Sequence, residues 1–385
     1  MSADRAAWDD FCRRLGALGE RLQTETFPDA AHDRADGYAH LAEQVLCWTG
    51  WSMFHADPRR PAFQRQNDLI LQWGGPNADN VYRHARVEAG RRYRIRGRMH
   101  SCEEFILAVR AGFMHEPTWG TLHEVTATEL GIGEGDEFDF VVGDRGQVEL
   151  PDGALTVSIR EYYYDWRPLE PATFTIECID DDVDVPAPRL TPEDVDLRLT
   201  RAIAGIEHSI EYWNTYMLER RTEAPANTFA PPLKVAKGLD AARYGFCFWD
   251  LGDDEALVIT SDVPDARYWT FQLYEMGWFE LADTVDRQAS LNHTQVELDD
   301  DGRMHVVLSH GDPGVPNWLD TGGRRGGLLT FRWFWPQGDP TPSAKVVAVN
   351  ELRDHLPAAT PAMGGAGRAA ALRRRREHLS WRFRT

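Results

Sequence analysis

Two long stretches of the chain, from about Asp68 to Ile179 and from about Tyr244 to Leu352, are made of short runs with a period of two, separated by turns. In Leu155, Val157 and Ile159 against Thr156, Ser158 and Arg160, apolar and polar residues take strict turns, as they do on an antiparallel sheet with one dry and one wet face. A chain written this way cannot become a helical bundle or a doubly wound parallel sheet. The first stretch predicts strands at Val81–Val87, Arg91–Arg98, Glu104–Arg110, Glu137–Val142, Leu155–Tyr164 and Thr173–Ile179. The second predicts them at Tyr244–Leu251, Ala256–Ser261, Tyr268–Tyr274, Gln295–Leu298, His305–Ser309, Leu328–Trp335 and Lys345–Val349.

Helical periodicity lies outside these stretches. Trp8, Phe11, Leu15, Leu18 and Leu22 recur at steps of three and four, Pro28 ends that pattern, and a second runs through Tyr38, Leu41, Val45 and Trp48. The acidic, proline-bearing segment Asp180–Pro188 separates the two β stretches. Thr191-Pro192-Glu193-Asp194 then opens a long helix with an N-cap hydroxyl, a first-turn proline and acids facing the dipole. A Gly-rich joint at Gly364–Gly367 precedes a last helix, Arg368–Arg384. The expected fold is α+β, mainly β: two antiparallel β-sandwich or jelly-roll-like domains with N-terminal, connecting and C-terminal helices. The expected divisions are N-terminal helices at 1–60, a first β-rich domain at 61–185 and the connecting helix at 186–225. A second β-rich domain follows at 226–357, then the joint and basic helix at 358–385.

Charge and cysteine usage narrow the function. The net charge of −19 excludes a general nucleic-acid binder, which needs a basic face. The arginines of residues 368–385 are read as a basic helix docked on an acidic body. No apolar stretch approaches the ~20 residues that span a bilayer, and Met1–Trp8 has no signal-peptide character. Five cysteines without CxxC spacing fit a reducing compartment. A cytoplasmic protein with no membrane partner is expected, with association into a homo-oligomer left open. Phosphate loops, dinucleotide fingerprints and GxSxG elbows are absent, so no cofactor is expected. His115, His123 and Glu124 are the nearest approach to a metal set, but their spacing matches no ligand signature, and no metal is expected. Ser309-His310-Gly311-Asp312 reads as a polar turn.

Two segments place polar groups among aromatics and glycines. After the turn Gly74-Gly75-Pro76, Asn77 and Asn80 precede a strand carrying Tyr82 and Arg83. In Tyr268–Tyr274, the face Tyr268, Thr270, Gln272 and Tyr274 is rich in hydroxyls and amides, and Trp269, Phe271 and Leu273 form the other. Pro316-Asn317-Trp318 is an aromatic loop, and Arg332 stands alone among the aromatics of its strand.

The run Gly75-Pro76-Asn77-Ala78-Asp79-Asn80-Val81-Tyr82, the Tyr268-Trp269…Leu273-Tyr274 strand and the Asn317-Trp318-Leu319 loop resemble an uncharacterised bacterial family, domain of unknown function 1214, often paired with a 1254 domain. The resemblance covers roughly residues 65–100 and 240–355. It departs at Ala78, where the family often has Pro, and at Asn80, where it often has Thr. It implies two β-rich, jelly-roll-like domains and brings no established reaction.

These features predict a cofactor-independent enzyme of hydrolase, lyase or isomerase type, acting on a small apolar or aromatic molecule in a cleft between the two β domains. Tyr82, Arg83 and Arg332 are the candidate catalytic residues: a phenol for acid/base work and guanidinium groups for an oxyanion. Asn77, Asn80, Trp269, Gln272, Tyr274, Asn317 and Trp318 are the candidate substrate-binding residues. The alternative is a non-catalytic protein that binds a carbohydrate or lipid-like ligand.

Overall fold

The computed structural model describes residues 3–24, 31–66, 69–180, 186–234, 239 and 241–384. The expected helix stop at Pro28 and most of the acidic boundary, residues 181–185, lie outside them. The chain divides into two compact units that interleave in sequence. The first comprises Met1–Gly74, Asn80–Tyr163 and Glu170–Thr215; the second comprises Gly75–Asp79, Tyr164–Leu169 and Tyr216–Thr385. The fold is α+β and mainly β.

In the first unit, α1 (Ala3–Thr24) and α2 (Ala31–Met53) precede a five-stranded antiparallel sheet. Its order is β1 (Gln64–Gln66), β2 (Asn80–Arg86), β7 (Thr156–Tyr162), β4 (Glu104–Gly112), β5 (Gly120–Thr126). A second sheet orders β6 (Glu137–Val142), β3 (Tyr93–Arg98) and β8 (Thr173–Cys178). Phe105 of β4 meets Phe138, Phe140 and Phe174 of the smaller sheet at ring separations of 5.5–6.4 Å, so the two layers share an aromatic core. Helix α3 (Pro192–Arg221) begins with the expected cap. Thr191 Oγ1 accepts from Asp194 N at 3.2 Å, and the Asp194 carboxylate accepts from Thr191 N at 2.9 Å.

Alternation puts Thr156, Ser158 and Arg160 on a wet face, yet Thr156 and Ser158 are buried, as are Val157 and Ile159. The reason is tertiary: α2 lies over that face, its Trp51 ring 4.5 Å from the guanidinium of Arg86 in the row of Thr156, and α3 packs on α2. Gln64 donates to the Cys47 carbonyl of α2 at 3.1 Å, and Ser209 of α3 donates to Gln44 of α2 at 2.8 Å.

In the second unit, β9 (Ala242–Asp250), β15 (Gly326–Phe334), β11 (Tyr268–Tyr274) and β12 (Ser290–Asn292) form one antiparallel sheet. The other orders β16 (Ser343–Ala348), β10 (Glu255–Ser261), β13 (Met304–Ser309) and β14 (Trp318–Asp320), with β14 parallel to β13. Trp249, Phe271, Leu273, Phe331 and Trp333 from the first sheet pack with Leu257, Ile259, Val306 and Leu308 from the second in one apolar cluster. Helix α4 (Gly365–Phe383) ends the described chain.

The strand expected at Gln295–Leu298 is absent; β12 lies just before it instead. Asn292 Oδ1 accepts from Thr294 N at 2.9 Å, which turns the chain. Asn317 then binds both backbone groups of Glu297, accepting from its N–H at 2.8 Å and donating to its carbonyl at 2.6 Å. Side chains take the hydrogen bonds that a neighbouring strand would have made.

Candidate functional site

Two buried polar regions, one in each unit, hold the chemistry-bearing side chains. In the second unit all seven residues of β11 are buried, including its polar face. That face lies under the segment Gly75–Asp79. Asn77 Oδ1 accepts from Gln272 Nε2 at 2.6 Å and from Asp79 N at 3.0 Å. Tyr268 donates its hydroxyl to Asp79 Oδ2 at 2.5 Å, and Asp79 Oδ1 accepts from Trp166 Nε1 at 2.6 Å and Asn292 Nδ2 at 2.8 Å. At the other end, Arg332 Nη2 donates to the Gly75 carbonyl at 2.6 Å and to the Tyr274 hydroxyl at 2.5 Å. Tyr274 Oη lies 2.5 Å from the Pro76 carbonyl and 2.8 Å from Gln272 Oε1, both acceptors for its single proton. The structure thus brings four of the expected residues, Asn77, Gln272, Tyr274 and Arg332, into one network. Their polar atoms are directed at one another and at the segment that covers them.

Helix α4 docks on this unit through its arginines. Arg368 and Arg376 meet Asp312 and Asp286, whereas Arg375 donates to the Ser290 carbonyl at 3.0 Å and hydroxyl at 2.8 Å, and Arg382 donates to the Ala78 carbonyl at 2.5 Å. Burial pulls the Arg375 pKa down to about 9 despite the nearby Asp79 carboxylate. The Arg375 guanidinium stands 4.2 Å from the Trp166 ring centroid.

The other expected residues take other places. Trp269 belongs to the apolar cluster. Asn317 holds backbone, as described above. Trp318 donates to the Ser309 carbonyl at 3.2 Å and packs under Arg368. In the first unit Asn80 donates to the Glu161 carbonyl at 2.6 Å, and Arg83 pairs with the buried Glu161 carboxylate at 2.5 Å. Tyr82 and Arg83 point to opposite faces of β2, as alternation requires. Ser309 donates to the Gly311 carbonyl while His310 meets Thr321, so the Ser309–Asp312 run is a turn. Among the described residues no group of three or more His, Cys, Asp or Glu could hold a metal ion.

The face of the first sheet that carries Tyr82 is chemically different. Strand register sets three rows across β2, β7 and β4: Tyr82–Arg160–Ile106, His84–Ser158–Ala108 and Arg86–Thr156–Arg110. Gln66 of β1 lies beside Tyr82. His84 Nδ1 and Ser158 Oγ share a hydrogen bond of 2.8 Å, and His84 Nε2 has no partner among the described residues. Neither ring nitrogen of His115 has one, nor does either amide atom of Gln66. Gln66 is 0% exposed, His84 4% and His115 5%, so bulk solvent does not reach them.

Aromatic rings enclose the two imidazoles. His115 lies 4.5 Å from Trp48, 5.3 Å from Trp73 and 5.9 Å from Phe113, centroid to centroid; His84 lies 5.0 Å from Phe113 and 6.0 Å from Trp73. Burial holds the His115 pKa down at about 3, and His208 lowers it further. His84 is pushed well below its ordinary value by burial first, then by Arg110 and Arg160. Both imidazoles are therefore neutral at physiological pH. The arrangement is a buried chamber of packed side chains: aromatic rings in mutual contact around two neutral imidazoles and a serine hydroxyl, on a sheet face that also carries an amide and guanidinium groups.

Sequence reasoning reached only the edge of this chamber, through Tyr82, and weighed His115 as a metal ligand. The available signal was the parity of β2 and β7, which places His84, Ser158 and Tyr82 on one side. The sequence does not show that helices cover that side.

Residues 252–338 match the family model described as "Protein of unknown function (DUF1214)", the family the sequence resembles. The match spans β10 to β15 and so contains Tyr268, Gln272, Tyr274 and Arg332. Among solved structures, an uncharacterised protein of Burkholderia cenocepacia superposes with a TM-score of 0.81 at 26% identity, covering 89% of this chain and 97% of its own. A Vibrio parahaemolyticus protein aligns over 81% of this chain and 98% of its own, at 13% identity and a TM-score of 0.45. No curated protein sequence matches the chain.

Proposed function

We propose that this chain, DUF1214-type over residues 252–338, is a cofactor-independent enzyme acting by acid/base chemistry on a small apolar or aromatic molecule, with the chamber of the first unit as its reaction site. The observation that carries the reading is the set of buried, unpartnered polar atoms on Gln66, His84 and His115. Each such atom costs about 1–3 kcal/mol when nothing replaces its water, so two such imidazoles among aromatic rings, with Gln66 on the same sheet face, are best explained by a ligand that supplies their partners.

The residues divide the work as follows. Trp48, Trp73 and Phe113 hold an apolar ring or chain. Ser158 fixes one nitrogen of His84, leaving Nε2 to accept or return a proton. Tyr82, on the same sheet face, is a second proton carrier, and the Arg86–Arg110 row stabilises charge that develops on an oxygen. A hydrolase, lyase or isomerase fits this set. The unpaired cysteines support a cytoplasmic location, and a jelly-roll winding and self-association remain part of the proposal.

The test is untargeted. Protein is incubated with a metabolite extract, and depletion is followed by mass spectrometry for wild type, His84→Gln and Ser158→Ala. A metabolite consumed by wild type and spared by both variants supports the enzyme. The strongly lowered imidazole pKa values favour a second reading, binding without turnover, because weak bases are poor proton acceptors at neutral pH. A metabolite retained at unchanged mass, and lost in His115→Phe, would establish that reading instead.

A further inference from the structure

The sheet face under the chamber is cationic as well as aromatic, and this points to the class of molecule it takes. We propose that the chamber binds a small planar aromatic carboxylate, its ring against Trp48, Trp73 and Phe113 and its carboxylate toward Arg86, Arg110 and the His84 imidazole. This rests on the chamber being the reaction site and adds the charge of the ligand.

Arg86 and Arg110 flank Thr156 in one row, and Arg160 lies two residues along β7 from Ser158, so three guanidinium groups share the face that carries His84. Two acids lie by that face: Glu116, whose Oε2 accepts from Phe113 N at 2.7 Å and whose charge acts on Arg86, opposed there by Arg201, and Glu124, in register with Ala108 at the β5 side. Arg86 stands 4.5 Å from the centroid of Trp51, and its Nε has no partner among the described residues. Burial of this kind is tolerated when a guanidinium meets a planar anion, because its fork matches a carboxylate with two parallel hydrogen bonds.

The imidazoles agree with an anion. His115 is neutral with both ring nitrogens unpartnered among the described residues, so it offers one N–H donor and one acceptor, whereas His84, with Nδ1 on Ser158, offers Nε2 alone, a donor in the tautomer whose Nδ1 accepts from the Ser158 hydroxyl. A carboxylate takes donors only; the remaining acceptor suits a ring hydroxyl or amine on the same ligand. A fully apolar ligand would leave Arg86 Nε, the Gln66 amide and the free imidazole nitrogens unsatisfied, and a flexible sugar would not pack against flat rings as well as another flat ring does.

The test compares 4-hydroxybenzoate with its neutral analogue 4-hydroxybenzamide, using quenching of tryptophan fluorescence on the full chain. Wild type should bind the carboxylate at least about tenfold more tightly than the amide. Arg86→Met should remove that preference, while Arg86→Lys restores part of it. His115→Phe should weaken both probes. Equal affinity for the two probes in wild type, unchanged in Arg86→Met, overturns the carboxylate assignment and leaves the chamber standing as a ligand site. Saturable binding of neither probe at about millimolar concentration overturns the carboxylate assignment. Failure of the chamber itself is read separately: a consumed or bound metabolite that His84→Gln and His115→Phe leave unaffected.

Discussion

Replacing His115 by Phe tests directly whether the chamber holds unpaid polar atoms. Phe keeps a flat ring among Trp48, Trp73 and Phe113 and removes two nitrogens that have no partner among the described residues. Most substitutions of a fully packed side chain destabilise. Here the lost desolvation penalty of about 1–3 kcal/mol outweighs the strain of a slightly larger ring, so the variant should be more stable by about 1 kcal/mol at pH 7.5. A pH dependence follows with a definite sign. The folded-state pKa is near 3 and the ordinary value is 6.5, so between those values the unfolded chain binds a proton that the folded one does not. Stability therefore falls as pH falls through that window, and at pH 5 the contribution of His115 has dropped by about 2 kcal/mol. Urea unfolding of wild type and variant at pH 7.5 and 5.0 measures both effects, and the advantage of the variant should grow by about 2 kcal/mol at the lower pH. The reasoning fails if the variant is less stable than wild type at pH 7.5 and both proteins lose the same stability on acidification. That result would mean that the nitrogens are hydrated or bonded.

Tyr268→Phe removes only the hydroxyl that donates to the buried Asp79 carboxylate, and it should cost about 1.5–3 kcal/mol in urea unfolding, the worth of a hydrogen bond to a charged group. A change below about 0.5 kcal/mol would show that the carboxylate finds another donor. Gly245→Ala should destabilise by about 3 kcal/mol or more, because a Cβ there would lie 2.0 Å from the fully buried Phe331 ring; a thermal melt within two degrees of wild type would refute it. Protein purified without chelator should carry well under one equivalent of transition metal; a stoichiometric metal that is lost in His123→Ala would overturn this.

The elements themselves were largely legible in the chain, and what they surround was not. Tyr268–Tyr274 is recognisable as a strand from alternation alone, and Thr191–Asp194 as a helix start, because both signals depend on residues next to one another. The same alternation shows that one side of β11 and one side of β7 are polar. Whether a polar side is wet depends on what packs over it, and that is settled by residues far away in sequence. Over β11 it is Gly75–Asp79, about two hundred residues upstream, which turns Asn77, Gln272, Tyr274 and Arg332 into a closed network. Over β7 it is α2, backed by α3, together with Trp73 before β2 and Phe113 after β4, so that Ser158 is buried and His84 and His115 lie among Trp48, Trp73 and Phe113. The short strands β12 and β14 have the same origin: three residues have too little alternation to stand out, and their pairing with β11 and β13 makes them strands. Local order follows from period and capping, which neighbouring residues determine. Burial of polar groups, on which the candidate site depends, is a property of the assembled layers alone.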